Sequence, residues 1–141
     1  MIITINVKMS KSIKIIIADS HKIYSKKLGE LLFREKCIES ITNVRDTKDL
    51  LCETVKRVHD VILIDFDLIT KAEHDFIKQI GKLDNNIKII VLLMHADAQV
   101  IQELIEYGAH GYLLKKSDFQ EFQFAIKSVL DGKVHLCKDV A

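Results

Sequence analysis

Short runs of branched apolar residues alternate with amphipathic stretches five times along the chain. The runs cover residues 13–18, 61–64, 87–93 and 111–114, and residues 37–44 give a weaker strand pattern that includes polar residues. A short run without regular polar residues is typical of a strand buried on both faces, and the apolar residues between the runs have helical spacing. Strands that alternate with helices predict a parallel sheet with helices on both faces.

Connection rules narrow the possible arrangements of five such units. Right-handed crossovers and short connections leave few topologies for a parallel sheet. We therefore expect an α/β fold, a flavodoxin-like (βα)5 doubly wound parallel sheet with strand order 2-1-3-4-5. Residues 1–11 are interpreted as an N-terminal tail, residues 12–132 as one domain, and residues 133–141 as the start of a linker.

Local signals predict where individual helices begin, end and become buried. Gly108 predicts the end of the fourth helix. Ser117 and Gln120 have the spacing of a capping box and predict the start of the last helix. The helix after Asp46 or Thr47 is expected to bury an apolar face. That face consists of Leu51, Val55 and Val58.

Composition excludes several classes of protein. The chain is 48% hydrophobic, contains no proline and has a net charge of +1, so it has no overall field that recruits DNA or an anionic membrane. The longest apolar run, residues 89–94, is too short to span a bilayer, and no basic leader precedes the apolar N-terminus. Three cysteines without a CxxC pair favour a reducing compartment. We expect a cytoplasmic protein that itself contacts neither membrane nor nucleic acid.

Three charged residues directly follow or end predicted strands. They are Asp19 after the first strand, Asp65 after the third and Lys115 after the fifth. In open α/β sheets, ligands bind at the carboxyl ends of the strands, so these side chains should converge. Two carboxylates and a lysine could bind Mg²⁺ and a phosphoryl oxygen, although either carboxylate alone could be a solvated loop residue or a helix cap. We favour a binding site because the three residues lie at three different strand ends.

Other motifs give little support for a different site. The six histidines have no i, i+4 pair and no cysteine partner, so zinc binding is not expected. No glycine-rich phosphate loop follows the first strand, which disfavours a nucleotide or flavin enzyme. Phe124 lies off the apolar stripe of the last helix, where an exposed ring would suit a partner surface.

Three segments resemble those of a known family. They are Ile15-Ile16-Ile17-Ala18-Asp19-Ser20-His21, Asp60-Val61-Ile62-Leu63-Ile64-Asp65 and Tyr107-Gly108-Ala109-His110-Gly111-Tyr112-Leu113-Leu114-Lys115. Over about residues 12–132 the chain resembles the receiver domains of two-component response regulators. Residues 125–141 resemble the lead-out of the NarL/LuxR class, in which a helix-turn-helix DNA-binding domain follows.

The resemblance implies specific roles for four residues. Asp65 would be the phosphoacceptor and Asp19 a ligand of Mg²⁺, together with Asp65 itself. Lys115 would contact the phosphoryl group, and Tyr112 would be the switch aromatic.

Three positions depart from the family pattern, and a fourth residue could compensate for one of these departures. Ser20 stands where the family has a second acid, so the metal site is one carboxylate short and Mg²⁺ binding should be weak. Leu93 stands where a threonine or serine contacts the phosphoryl group, and leucine has no donor for it. Lys116 replaces a proline, so the peptide bond after Lys115 should be trans. Asp67 could restore some of the missing negative charge.

Because these losses surround one site within an intact scaffold pattern, we expect an atypical receiver. The preferred hypothesis is a non-enzymatic, phosphorylation-independent module of a transcriptional regulator, which forms a homodimer and holds or gates a C-terminal DNA-binding domain. The alternative is a working receiver that accepts a phosphoryl group on Asp65 from a histidine kinase with Mg²⁺. A third hypothesis is a small-molecule sensor that uses the altered pocket.

Overall fold

A parallel five-stranded sheet forms the centre of the computed structural model, which describes residues 12–72 and 75–136. The strands are β1 (Ile13–Ala18), β2 (Ile38–Val44), β3 (Val61–Asp65), β4 (Lys88–Leu93) and β5 (Gly111–Leu114). They pair in parallel in the order β2-β1-β3-β4-β5. The predicted fold class and strand order are confirmed. The predicted tail, residues 1–11, lies outside the described residues.

Helices cover both faces of the sheet. They are α1 (Lys22–Phe33), α2 (Thr47–Thr54), α3 (Phe66–Lys71), α4 (Phe76–Leu83), α5 (Ala98–Glu106) and α6 (Phe119–Leu130). Helices α1 and α6 pack on one face, and α2, α3, α4 and α5 pack on the other. None of these helices is both long enough and apolar enough to cross a membrane.

The central strands are buried because both of their faces are covered. Alternate residues of β1 enter different cores: Ile16 packs on the α2–α5 face, whereas Ile15 and Ile17 pack on the α1/α6 face. Each fully buried side chain of this size contributes about 1.5–3 kcal/mol to folding. The apolar centre therefore holds the ends of β1 and β3 firmly side by side, with Ala18 paired to Ile64.

Helix termini follow two of the predicted signals and depart from a third. Gly108 has a φ of +112°, as expected of a glycine that ends a helix, and Asp46 caps α2. The prediction that Ser117 caps the last helix is wrong by one residue. The Asp118 carboxylate accepts a hydrogen bond from the Glu121 amide at 2.9 Å, whereas the Ser117 hydroxyl accepts one from the Leu114 amide within the preceding turn.

The predicted buried face of α2 is wrong at two of its three residues, whereas Leu51 is partly buried against the core. Helix α2 ends at Thr54, so Val55 and Val58 lie beyond it and are about half exposed. Leu50 and Thr54 are buried instead. The Thr54 hydroxyl donates to the Leu50 carbonyl oxygen at 2.7 Å, which satisfies the polar group inside the core.

A short segment after the last helix pairs with part of the outer edge of β5. We call residues 133–136 the edge segment. The His135 amide donates to the His110 carbonyl oxygen at 3.0 Å, and the Tyr112 amide donates to the His135 carbonyl oxygen at 3.2 Å. His135 forms a parallel bridge with Gly111, and its buried imidazole lies 2.8 Å from the Glu121 carboxylate. The chain thus remains packed on the sheet beyond residue 132, where the sequence predicts a linker.

Candidate functional site

The carboxyl ends of β1, β3 and β5 bring Asp19, Asp65 and Lys115 together. Asp19 follows β1 directly, Asp65 is the last residue of β3, and both are buried. Lys115 Nζ lies 2.7 Å from Asp19 Oδ2 and 3.4 Å from Asp65 Oδ1. The ammonium group therefore lies between the two carboxylates and neutralises part of their charge.

His21 is a fourth member of this cluster, and the sequence interpretation missed it. Its backbone amide donates to Asp19 Oδ1 at 2.8 Å, which turns the chain back toward the sheet. Its Nδ1 lies 2.9 Å from Asp19 Oδ1, 3.5 Å from Asp65 Oδ2 and 2.9 Å from Lys115 Nζ. A single ring nitrogen cannot both donate to the carboxylate and accept from the ammonium, so the two contacts compete. An Asp-X-His spacing directly after a strand was the available signal.

Tyr24 of α1 holds Lys115 in position through two contacts. The Tyr24 hydroxyl donates to the Lys115 carbonyl oxygen at 3.1 Å, and Lys115 Nζ lies 4.8 Å from the centre of the Tyr24 ring. A cation at this distance from an aromatic face is attracted to the ring. Burial, followed by the charges of Asp19 and Asp65, raises the pKa of the Tyr24 hydroxyl. Tyr24 therefore stays protonated and remains a hydrogen-bond donor.

The surroundings of the Asp65 carboxyl group disfavour its charged form. Burial raises the pKa of Asp65, the neighbouring Asp19 carboxylate raises it further, and the Lys115 ammonium opposes both effects. Among the described residues, Asp65 Oδ2 has no hydrogen-bond partner. Its nearest cationic or imidazole nitrogen is His21 Nδ1 at 3.5 Å. The site thus contains one carboxylate oxygen that is buried and available.

The residues at the predicted switch positions lie in the apolar core. Leu93, the last residue of β4, is 2% exposed, and Tyr112 of β5 is 1% exposed. Both belong to the apolar cluster on the α2–α5 face, where Val91 pairs with Tyr112 and Leu93 pairs with Leu114. The Tyr112 ring is therefore already directed inward, and the side chain at position 93 offers no hydroxyl.

The remaining predicted site residues lie at the surface. Ser20 is exposed beside Asp19, and Lys116 is exposed beside Lys115. No described peptide bond is cis, which agrees with the expected trans bond after Lys115. Asp67 is exposed in α3. Its charge raises the pKa of Asp65, while its backbone amide lowers it.

The donor set fits Mg²⁺ poorly. Mg²⁺ prefers oxygen ligands in near-octahedral geometry. In the described part of the chain, Asp19, His21 and Asp65 are the group of His, Cys, Asp and Glu side chains whose possible ligand atoms lie within 4.8 Å of one another, so the third side-chain donor is a nitrogen. Mg²⁺ would also have to displace the Lys115 ammonium from Asp19 with only two carboxylates to attract it.

A cavity of about 420 Å³ lies away from these charges. Its walls come from α3, α4, α5 and the residue after α5, and include Phe66, Ile77, Leu104 and Tyr107. None of Asp19, Asp65 and Lys115 lines it. At the strand ends, where the small-molecule hypothesis places the ligand, the Lys115 side chain is largely buried against the two carboxylates.

We call Asp19, His21, Asp65 and Lys115 the strand-end cluster, and it offers two kinds of chemical group. The buried carboxylate oxygen of Asp65 is a potential nucleophile or cation ligand, and the ammonium can stabilise an added anionic group. At the same time, Leu93 and the switch aromatic Tyr112 are buried in the apolar cluster on the α2–α5 face, and Leu93 offers no polar atom to link these charges to the Tyr112 ring.

Comparisons with known proteins agree with the fold and identify the family. The family model described as the response regulator receiver domain matches residues 15–127. The chain is 32% identical over 121 residues to the transcriptional regulatory protein DesR of Bacillus subtilis (strain 168), covering 86% of this chain and 60% of DesR. It is 27% identical over 128 residues to the transcriptional regulatory protein DegU of Brevibacillus brevis, covering 88% of this chain and 52% of DegU. The chain thus spans between half and two thirds of the length of these two relatives.

Solved structures show the same fold at lower sequence identity. A LuxR-family two-component response regulator from Aurantimonas sp. SI85-9A1 superimposes with a TM-score of 0.83 at 22% identity, covering 92% of this chain and 93% of that one. The isolated REC domain of RcsB from Salmonella enterica serovar Typhimurium, solved with the phosphomimetic BeF3-, gives a TM-score of 0.80 at 20% identity. It covers 92% of this chain and 96% of that one. On the extent of the family match and the identity with DesR, this chain is a member of the response regulator receiver domain family.

Proposed function

We propose that this chain is the receiver domain of a transcriptional regulator whose output does not depend on phosphorylation of Asp65. The buried pair of Leu93 and Tyr112 is the observation that carries this proposal. A phosphoryl group on Asp65 would need a hydroxyl at position 93 to draw an aromatic side chain inward. Here the hydroxyl is absent and the Tyr112 ring is inward without it.

The charges at the strand ends support the same proposal. Lys115 already balances Asp19 at 2.7 Å, and Ser20 contributes no carboxylate. Breaking a buried ion pair is costly, so phosphorylation would have to pull the ammonium away from Asp19 without help from a strongly bound metal. The resting state of the site is therefore favoured over the phosphorylated state.

Self-association and a following DNA-binding domain complete the proposed function. The relatives are longer than this chain and are transcriptional regulatory proteins by name. Phe124 on α6 is 60% exposed, and its ring contacts the His135 ring of the edge segment, in which Val134 and Leu136 are also exposed. An exposed apolar group of this kind suits a second copy of the domain. We place this non-enzymatic module in the cytoplasm, where it acts on a C-terminal DNA-binding domain and contacts no nucleic acid or membrane itself.

Amide NMR with a phosphoryl analogue tests the proposal. The whole chain is incubated with Mg²⁺ and beryllofluoride, and in parallel with acetyl phosphate followed by intact-mass measurement. We expect shifts confined to the neighbours of Asp65, with the Tyr112 amide unchanged. In Leu93→Thr combined with Ser20→Asp, the shifts should extend to Tyr112, because the hydroxyl and the second carboxylate are restored.

Asp65→Asn is the control, because it removes the acceptor and should abolish every shift. Shifts that reach Tyr112 in the unmodified chain would overturn the proposal. Urea unfolding of the double variant shows whether it is still folded, since Leu93 is a core residue.

A working receiver is the second candidate, favoured by one specific observation. Asp65 Oδ2 is buried and has no hydrogen-bond partner in the described part of the chain, so it is free to attack a phosphohistidine of a kinase. Asp67 would then supply some of the negative charge that Ser20 lacks. A mass increase of one phosphoryl group on the unmodified chain, coupled to a Tyr112 shift, would establish this candidate.

A further inference from the structure

The poor match of the strand-end cluster to Mg²⁺ has a specific chemical cause. The site offers two carboxylates, Asp19 and Asp65, and the third inward group is the imidazole of His21. Carboxylate and water oxygens suit Mg²⁺, whereas imidazole nitrogen suits ions such as Zn²⁺, Ni²⁺ and Cu²⁺. The nitrogen therefore changes the class of ion that the cluster can select.

The distances between the candidate ligand atoms suit a shared ion. His21 Nδ1 lies 2.9 Å from Asp19 Oδ1 and 3.5 Å from Asp65 Oδ2. Zn²⁺ binds such nitrogen and oxygen atoms at about 2.1 Å, and two ligands of one tetrahedral ion at that distance lie about 3.4 Å apart. Small side-chain adjustments would bring all three atoms to such a spacing, and water could complete the coordination.

A second observation, the unpartnered Asp65 Oδ2 atom, indicates that the site can accept a cation. Asp65 is almost completely buried, and its Oδ2 atom, which faces His21, has no hydrogen-bond partner among the described residues. A buried polar atom without a partner costs about 1–3 kcal/mol, and more when it is charged. A cation between Asp65 Oδ2 and His21 Nδ1 would satisfy this atom.

We propose that Asp19, His21 and Asp65 bind a divalent ion that accepts imidazole nitrogen, of the Zn²⁺ class, in preference to Mg²⁺. Lys115 is the competitor, because its ammonium lies 2.7 Å from Asp19 Oδ2 and 2.9 Å from His21 Nδ1. Binding of the ion requires the ammonium to withdraw toward solvent. The proposal concerns which ion binds and does not rest on whether a phosphoryl signal reaches Tyr112.

Separate titrations of the whole chain with Zn²⁺ and Mg²⁺ test this inference. Isothermal calorimetry gives the affinities, and ¹⁵N NMR of the histidine rings reports directly on His21 Nδ1. We expect Zn²⁺ to bind at least tenfold more tightly than Mg²⁺ and to move the His21 Nδ1 signal together with the Asp19 and Asp65 signals. Lys115→Met should raise the affinity for Zn²⁺, because it removes the competing ammonium.

Two histidine variants provide the matched comparison. His21→Ala should lower Zn²⁺ affinity at the site at least tenfold and leave Mg²⁺ affinity within about twofold, because imidazole suits Zn²⁺ whereas Mg²⁺ prefers oxygen ligands. His95→Ala, an exposed histidine in the loop between β4 and α5, should change neither affinity. Mg²⁺ affinity equal to or above that of Zn²⁺, an unmoved His21 signal, or equal effects of the two variants would overturn the proposal.

Discussion

Two regions at the β5 side of the molecule each place a histidine beside a carboxylate, and they differ in what holds the histidine. At the strand-end cluster, His21 is half exposed and its contacts with Asp19, Asp65 and Lys115 are made mainly by side chains. At the edge segment, His135 is buried, and its backbone is bonded to His110 and Tyr112. The first region can exchange partners, whereas the second is fixed by main-chain geometry.

This difference indicates which contacts of the receiver domain can be exchanged for contacts with a ligand. Ion pairs between side chains can be replaced by a metal or a phosphoryl group without moving the sheet. Main-chain bonds at the edge cannot be replaced in this way, so the position of Tyr112 is set by the edge segment and the core. We expect perturbations of the two regions to differ in size, sign and pH dependence.

Lys115→Met should have the largest effect. It leaves the buried Asp19 carboxylate without its partner, and loss of one member of a buried ion pair typically lowers the free energy of unfolding by about 3 kcal/mol or more. Urea unfolding at pH 7 measures this loss. Lys116→Met is the control, because Lys116 is exposed and should leave stability unchanged. Equal losses in the two variants would contradict the importance of the ion pair.

Gly111→Ala should have a smaller effect at the edge. A Cβ atom there would lie 2.9 Å from the His135 carbonyl oxygen, so the edge segment must move. We expect the free energy of unfolding to fall by about 1–3 kcal/mol, as in other overpacked sites. Exchange of the Tyr112 amide hydrogen should also accelerate, because that amide loses its acceptor.

Gly81→Ala in α4 should have the opposite effect on the free energy of unfolding. No atom outside the helix lies within 4 Å of the added Cβ, so alanine should stabilise the helix by about 0.5–1 kcal/mol. If both glycine variants changed stability in the same direction, the close approach at Gly111 would not be the cause.

His110→Asn tests the pH dependence of the edge. Burial, followed by the charge of Lys88, lowers the pKa of His110, and its Nδ1 accepts a hydrogen bond from the Ile89 amide at 3.1 Å. Below the ordinary pKa of histidine the unfolded chain takes up a proton before the folded chain does, so stability falls as the pH falls toward the lowered folded pKa. Asparagine keeps an acceptor and does not titrate.

Urea unfolding at pH 7.5, 6.5 and 5.5 measures this effect. The His110→Asn variant should lose less stability between pH 7.5 and 5.5 than the unmodified chain. Parallel pH curves for the two proteins would show that His110 is not the source of the pH dependence.

Phe124→Asp should have the smallest effect on stability, within about 0.5 kcal/mol, because the ring is largely exposed. If α6 and the edge segment associate with a second copy, the variant should be less dimeric in sedimentation equilibrium. Phe33→Asp is matched to it, since Phe33 on α1 is 58% exposed and lies on a different helix. Loss of dimer in both variants, or in neither, would contradict an interface on α6.

The sequence was sufficient to predict the sheet, its strand order and the convergence of Asp19, Asp65 and Lys115. Those features follow from apolar runs and from the rule that parallel strands end at one edge. The Asp-X-His spacing after β1 was a signal for His21, but the spacing alone does not show that the turn after β1 brings the ring back to Asp19. The edge contact of His135 depends on the small size of Gly111 and on the path of the chain after α6, which leaves no periodic pattern.

The edge segment also affects where this sheet could associate with another chain. A strand at the rim of a sheet offers unpaired amides and carbonyls to any extended chain that approaches it. On the β5 rim, residues 133–136 occupy part of these groups, whereas in the described part of the chain no strand pairs with the outer side of β2. Within residues 12–72 and 75–136, a foreign peptide that adds to this sheet would therefore meet fewer occupied groups at β2 than at β5.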